Sequence, residues 1–209
     1  MAKELVFTVY EYDELAEKAK QKALEKLFDI NVEFDDWYNL VYEEQTEKLQ
    51  KMGFADIDIA FTGFWSQGDG ASFTCKGFDI VKWLKHTKTT NKYRTIFNWI
   101  ERDSYYSGWV DRHNSHYYHE RSTKFHLEAQ CSSFDYETKR RFEQQISDLE
   151  EFINQEIVSL NKAIYRTLEK EYEAYTSKEC VEDTIRANEY LFHNDGVILS
   201  RSWLAKELV

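Results

Sequence analysis

The sequence predicts an α+β fold, in which an antiparallel sheet of hairpins packs with several helices, including a long C-terminal helical region. Apolar and polar residues alternate on both sides of a glycine-rich turn at residues 65–70, as the strands of a β-hairpin do. Residues 136–175 instead place an apolar residue every three to four positions, the spacing of a helix that buries one face. We therefore expect a single α+β domain over residues 1–209, with residues 136–190 as its helical C-terminal region.

The N-terminal quarter of the chain predicts a strand followed by two helices. Alternation at Leu5, Phe7 and Val9 indicates an opening strand, and Asp13 stands where it could cap a first helix. The apolar residues of that helix are Leu15, Ala19, Ala23 and Leu27. A second helix is expected from about Phe34, with apolar residues at Trp37, Leu40, Val41, Leu49 and Met52. Gly53 is placed to end that helix in a left-handed conformation.

The centre of the chain predicts two hairpins with helical pieces between them. Ile57, Ile59 and Phe61 indicate the strand that enters the glycine-rich turn, and residues 71–75 the strand that leaves it. Apolar spacing over residues 78–100 favours two helical pieces, broken near residues 89–91. Residues 105–110 and 116–130 then predict a second hairpin, with Phe125 and Leu127 on one face.

Residues 136–175 favour helix almost without interruption. The stripe comprises Phe142, Ile146, Leu149, Ile153, Ile157, Leu160, Ile164 and Leu168. One unbroken helix of this length would extend about 60 Å, more than one face of a domain needs. The chain could kink or loop near residues 152–156, project, or pair with a second copy in a homodimer through this region. Thr176 and Glu179 then match a capping box that begins a last helix, and residues 194–196 predict a turn.

Composition excludes several classes of protein. The formal charge of −11 and the scattered basic residues argue against direct binding to nucleic acid and favour basic partners. Residues 1–209 contain no apolar run that could cross a membrane and no signal-peptide pattern, so we expect a cytoplasmic protein without a membrane partner. Three cysteines without CxxC spacing indicate neither a disulfide framework nor a zinc site.

The most distinctive local feature is the turn at Trp65-Ser66-Gln67-Gly68-Asp69-Gly70. Its glycines can adopt positive φ, and it presents an amide, a carboxylate and backbone N–H groups beside an indole ring. It is not a phosphate-binding P-loop, because the GxxxxGK[ST] spacing is absent. Two interpretations stay open: the turn connects two strands, or Trp65, Gln67 and Asp69 contact a ligand or partner.

Four of the six histidines, at positions 113, 116, 119 and 126, suggest a metal site at first sight. On a strand, however, His113 and His119 would share one face while His116 points away, so no metal is expected. We expect instead that Tyr118, His119 and Glu120 contribute to a binding surface. No complete hydrolase or transferase motif is present, so neither catalytic residues nor cofactors are predicted.

Three segments together resemble a family of phage and prophage proteins, some of them labelled antitoxin of a toxin–antitoxin stability system. They are residues 12–20 (YDELAEKAK), residues 61–73 (FTGFWSQGDGASF), and residues 168–172 (LEKEY) continuing to residues 185–190 (IRANEY). Residues 115–120 (SHYYHE) are similar to the family's middle motif. The resemblance implies a phage accessory protein made in the bacterial cytoplasm.

The leading hypothesis is therefore an anti-defence or antitoxin-like protein that binds a host protein and inhibits or modulates it. The partner could be a defence complex, a toxin or a nucleic-acid-binding protein such as a nuclease. The alternative is a protein or enzyme that binds a nucleotide-type ligand, in which Asp69 or Glu120 acts as acid or base and Gln67 orients the ligand. The homodimer through the helical region is the third hypothesis.

Overall fold

The structure is a computed structural model that describes residues 8–100, 105–113, 118–130 and 135–199. The strands are β1 (Tyr10–Glu11), β2 (Phe54–Thr62), β3 (Gly70–Phe78), β4 (Tyr106–Arg112), β5 (Thr123–Ala129) and β6 (Leu191–Phe192). The helices are α1 (Glu17–Leu27), α2 (Asn39–Met52), α3 (Ile80–His86), α4 (Arg94–Ile100), α5 (Tyr136–Tyr175) and α6 (Lys178–Ala187). The predicted α+β class is confirmed. None of these helices carries an apolar stretch long enough to cross a membrane.

The fold divides into two compact units, and the single-domain organisation stays a prediction. One unit is Asn39–Glu169, and the other combines Met1–Tyr38 with Lys170–Val209. The first unit holds a four-stranded antiparallel sheet in the order β2-β3-β4-β5. Both predicted hairpins are present: Thr62 lies opposite Gly70 across β2 and β3, and Arg112 lies opposite Thr123 across β4 and β5.

Helix α5 runs without a break from Tyr136 to Tyr175, so the loop considered as an alternative near residues 152–156 is wrong. Ile153 and Ile157 are completely buried there, which keeps the buried stripe in phase through the segment. Six of the eight stripe residues are buried within the chain, namely Phe142, Leu149, Ile153, Ile157, Ile164 and Leu168. Those six side chains are therefore not open to a second copy, and the homodimer stays a prediction.

The other helices of this unit follow their sequence signals, except that α2 begins at Asn39 instead of near Phe34. Helix α2 ends at Met52, and Gly53 has a φ of 108°, as its position predicted. Leu40 departs from the prediction, because its side chain is 60% exposed instead of packed. The two helical pieces expected over residues 78–100 are α3 and α4, and Asp79 caps the first by accepting a hydrogen bond from the Lys82 amide.

The second unit packs α1 and α6 around a small apolar core beside the β1–β6 pair. Its buried residues are Tyr12, Leu15, Ala19, Ala23, Leu24, Val181, Ile185 and Phe192. The predicted opening strand lies largely outside the described residues, since Leu5 and Phe7 are not among them. Val9 is outside any strand, and the pairing starts at Tyr10, opposite Phe192.

Two predicted helix caps are wrong. Helix α1 begins at Glu17 after Ala16, and Asp13 instead pairs with the guanidinium of Arg186 at 3.1 Å. The cap of α6 is Ser177, whose Oγ accepts a hydrogen bond from the Cys180 amide at 3.3 Å. The Thr176 hydroxyl instead donates to the Tyr172 carbonyl in the last turn of α5.

Candidate functional site

The turn between β2 and β3 is closed by its own aspartate. The Ser66 amide donates to Oδ2 of Asp69 at 2.6 Å, and the Asp69 amide donates to the Ser66 carbonyl at 3.1 Å. Gly68 has a φ of 96°, so this position requires the conformational freedom predicted for it. One carboxylate oxygen of Asp69 is therefore used to fix the shape of the turn.

Trp65 projects from this turn, and its neighbour anchors the turn to α5. The Trp65 side chain is 70% exposed, whereas Phe64 is buried. The Tyr165 hydroxyl donates to the Phe64 carbonyl at 3.2 Å, and the two rings lie 5.7 Å apart. Burial raises the pKa of Tyr165, and the charges of Glu169 and Asp69 add to the effect. The turn thus presents an exposed indole from a backbone that is held in place.

Gln67 is exposed at the tip of the same turn. Its side-chain amide makes no hydrogen bond to another part of the chain that the structure describes. Gln67 is therefore available for contact with a ligand or partner in a way that Asp69 is not.

Tyr118, His119 and Glu120 lie in a second turn, and the prediction that they form a strand is wrong. Strand β5 begins only at Thr123. The Ser122 amide donates to the His119 carbonyl at 2.9 Å, and the Arg121 amide donates to Nδ1 of His119 at 3.1 Å. A side chain that accepts a hydrogen bond from its own turn competes with strand pairing. The spacing of apolar residues does not reveal this competition.

The assignment of the histidines to the two faces of one strand is wrong for the same reason. His113 follows the end of β4, His119 lies in the turn, and His116 is outside the described residues. Within the described part of the chain, no group of three or more histidine, cysteine, aspartate or glutamate side chains could hold a metal ion.

The two turns meet at Gly70. A Cβ atom added there would lie 2.9 Å from the Cβ of His119 and closer still to its Cα. The absence of a side chain at Gly70 is what lets the backbone of the second turn approach the end of the first. The two segments are thereby brought together at one end of the sheet, where β2 connects to β3 and β4 to β5.

Arg112 packs against the second turn. Its guanidinium lies over the Tyr118 ring, 4.6 Å from the ring centroid. Its Nε donates to Oγ of Ser72 at 3.3 Å, and Nη1 approaches Asp58 at 4.0 Å. Sequence reasoning missed Arg112, although its position in phase with the buried Val110 on β4 marks an arginine on the inner face.

Asn161 is a second residue that sequence reasoning missed. It is completely buried on α5, and its Oδ1 accepts a hydrogen bond from the Phe73 amide of β3 at 3.1 Å. Its Nδ2 donates to the Glu120 carbonyl at 3.1 Å and to the Thr123 hydroxyl at 3.0 Å. The signal for it in the sequence was its spacing, because Asn161 is a polar residue on the helix face that carries the apolar stripe of α5.

The side chain of Glu120 also approaches α5. Its carboxylate lies 3.8 Å from Nζ of Lys162. The residue is partly buried and its carbonyl is bound to Asn161, whereas the ion pair of its side chain is partly exposed and contributes little. Glu120 therefore presents a carboxylate from a backbone that α5 holds in place.

Comparison with known families covers this whole region. The family model described as "Domain of unknown function (DUF8835)" matches residues 37–178, more than half of the chain. The chain belongs to the DUF8835 family. No curated protein and no solved structure matches it significantly.

The DUF8835 match spans both turns and the residues that support them. Trp65, Gln67 and Asp69 lie inside it, as do the Tyr118–Glu120 segment and Asn161. The site is thus part of the region that defines the family, whereas α1 and most of α6 lie outside the matched residues.

Proposed function

We propose that this DUF8835 protein is a non-enzymatic binding protein, a phage-encoded accessory factor that acts in the bacterial cytoplasm. It binds a host protein, such as a defence or toxin component, and inhibits or modulates it. The contact surface is formed by Trp65, Gln67, Tyr118, His119 and Glu120, and we call it the two-turn surface.

The observation that carries the proposal is the exposed indole of Trp65 on a fixed turn. Trp65 is 70% exposed, and tryptophan, tyrosine and arginine are the residues most enriched among the energetic anchors of protein interfaces. The hydrogen bonds from Ser66 to Asp69 and from Tyr165 to Phe64 hold the turn before binding. A contact surface that is already ordered loses less entropy when a partner binds.

Charge indicates the kind of partner. The chain carries a net charge of −11, and Glu120 places a carboxylate on the two-turn surface itself. Opposite charge accelerates association and disfavours wrong partners. A basic host protein fits this surface, including a nucleic-acid-binding protein whose groove an acidic chain could occupy.

A pull-down from host lysate with three forms of the protein tests the proposal. The wild type and Tyr136→Ala, a control at a 79% exposed aromatic, should retain the same host protein. Trp65→Ala should bind it about thirtyfold more weakly, or more weakly still, because loss of an interface anchor costs about 2 kcal/mol or more. Retention of no host protein by the wild type, or equal retention by Trp65→Ala, would contradict the proposal.

A nucleotide-type ligand or an enzymatic role is the second candidate, because Gly70 brings Gln67 and Asp69 into the same region as His119 and Glu120. A thermal-shift screen with nucleotides, including cyclic signalling nucleotides, tests it. Gln67→Ala and Glu120→Gln are the informative variants, since Asp69→Ala would also open the turn. Stabilisation by a nucleotide that both variants lose would favour this candidate over the protein partner.

A further inference from the structure

A groove lies between α2 and α5 within the Asn39–Glu169 unit. It has a volume of about 410 Å³, in the range typical of sites for small molecules. Its apolar lining includes Leu49 and Met52 of α2 and Leu160 and Ile164 of α5. Leu49 and Ile164 are buried, whereas Met52 and Leu160 are only half-buried and leave apolar surface open in the groove.

Gln45 also lines this groove, and its side chain is 93% buried, with only 7% exposed. Its amide makes no hydrogen bond to another residue in the part of the chain that the structure describes. The amide is not among the fully buried polar groups without a partner, so it keeps some contact with water at the groove. A ligand that accepts a hydrogen bond from this amide would replace that water.

The charged side chains that line the groove are two lysines. Lys48 and Lys51 lie there beside His86, in a chain whose net charge is −11. Lys48 pairs with Glu44 at 3.9 Å and Lys51 with Glu47 at 3.7 Å, both in exposed i,i+4 geometry. Such exposed pairs contribute little, so either lysine can turn to an anion in the groove.

We propose that this groove binds an alkyl carboxylate. The hydrocarbon chain would lie on Leu49, Met52, Leu160 and Ile164, where its burial provides most of the affinity. The carboxylate would accept a hydrogen bond from the amide of Gln45 and pair with Lys48. The site uses no residue of the two-turn surface, so it is a binding function separate from the one proposed above.

Isothermal titration of the purified full-length protein with decanoate, below its micelle concentration, tests the proposal. We expect saturable binding of decanoate, and binding about tenfold weaker or lower for decanol and for decylammonium, which lack the negative charge. Equal binding of decylammonium, or no binding of decanoate, would overturn the proposal.

Two variants separate a built site from general detergent binding. Gln45→Leu should bind decanoate about tenfold more weakly, because it removes a hydrogen bond to a charged group, while its Tm without ligand stays at or above the wild-type value. Lys48→Ala should also weaken binding, whereas Lys139→Ala, which removes an exposed pair of the same 3.9 Å length with Glu143, should not. Unchanged affinity in both Gln45→Leu and Lys48→Ala would overturn the proposal.

A second copy of the chain is the competing occupant of the groove. Light scattering of the wild type and of Met52→Glu distinguishes the two. A dimer that Met52→Glu converts to a monomer, and that decanoate leaves intact, would assign the groove to self-association and overturn the ligand proposal. A monomer that binds decanoate supports it.

Discussion

Gly70 is the residue at which the two turns depend on each other. Replacement by alanine puts a Cβ into the backbone of His119, which cannot yield as a flexible side chain would. We expect Gly70→Ala to lower the free energy of unfolding by about 1–3 kcal/mol, the usual effect of overpacking. Urea denaturation measures this.

Gly77→Ala is the matched control for that substitution, because both glycines lie in β3. A Cβ at Gly77 would meet only the Cβ of Ala55, at 3.3 Å, so a smaller loss is expected. Equal urea midpoints for Gly70→Ala and the wild type would show that the two turns are not in contact.

Asn161 connects three parts of the structure through one side chain. Asn161→Leu leaves the Phe73 amide and the Glu120 carbonyl without their partner in a buried region. We expect the free energy of unfolding to fall by roughly 2–3 kcal/mol. Gln155→Leu, at an exposed position of the same helix, should change it by less than about 0.5 kcal/mol. Similar losses for the two variants in urea denaturation would contradict this role.

At the residue scale, the roles of the glycines could be predicted from the sequence, whereas the roles of the polar residues that hold the two turns could not. Gly53 and Gly68 stand where a helix end and a turn require positive φ, and local sequence carries that signal. Asn161 and Arg112 act through partners 88 and 40 positions away in the chain. Such contacts depend on which strands become neighbours, and a single sequence does not fix that locally.

At the scale of elements, helix ends are where local signals compete. Thr176 and Ser177 are both good N-cap residues, and the capping-box pattern selected Thr176. Helix α5 continues to Tyr175, and the Thr176 hydroxyl bonds to the last turn of that helix. Ser177 therefore serves as the cap of α6.

Ser177→Ala tests this assignment of the cap. It removes the acceptor of the Cys180 amide, and we expect a loss of about 1 kcal/mol in the free energy of unfolding. Chemical denaturation followed by circular dichroism measures it. Thr176→Ala should have the smaller effect, and the reverse order would restore the predicted capping box.

Most elements could be predicted because they repeat one periodicity over many residues. The β2–β3 hairpin and α5 are of this kind, and both appear close to their expected positions. The continuity of α5 could not be predicted, because the apolar stripe gives phase and says nothing of where a helix must stop. The turn at residues 118–122 could not be predicted either, since it contains none of the glycine, proline, asparagine or aspartate residues that commonly mark turns.

At the scale of the whole molecule, acidic side chains in ion pairs make stability depend on pH. The hydrogen bond from Arg186 lowers the pKa of Asp13, and the hydrogen bond from Lys22 lowers that of Asp195. Burial acts to raise the pKa of Glu182, but hydrogen bonds from Tyr12 and Arg186 outweigh it and lower that pKa. Burial and its hydrogen bond to Glu182 raise the pKa of Tyr12.

These shifts predict a loss of stability in acid. A carboxyl group whose pKa is lower in the folded state stabilises the protein above its unfolded pKa of about 4, and this contribution disappears as pH falls through the folded pKa. We expect the urea midpoint of the wild type to fall between about pH 5 and pH 3.

Asp13→Asn isolates one such group. It should be less stable than the wild type at pH 7, and the difference should shrink at low pH, when the wild-type carboxyl is protonated too. Glu151→Gln, at an exposed position of α5, is the control and should follow the wild type at both pH values. A difference between Asp13→Asn and the wild type that stays constant with pH would contradict the assignment.

The central claim is that the two-turn surface contacts a host protein, and photo-cross-linking in bacterial cells tests it most directly. A photoreactive phenylalanine at position 67 replaces an exposed side chain without a hydrogen bond in the described structure, and the same group at position 136 is the control. We predict a discrete covalent adduct with one host protein from position 67 and none from position 136. No adduct from position 67, or the same adduct from both positions, would contradict the account.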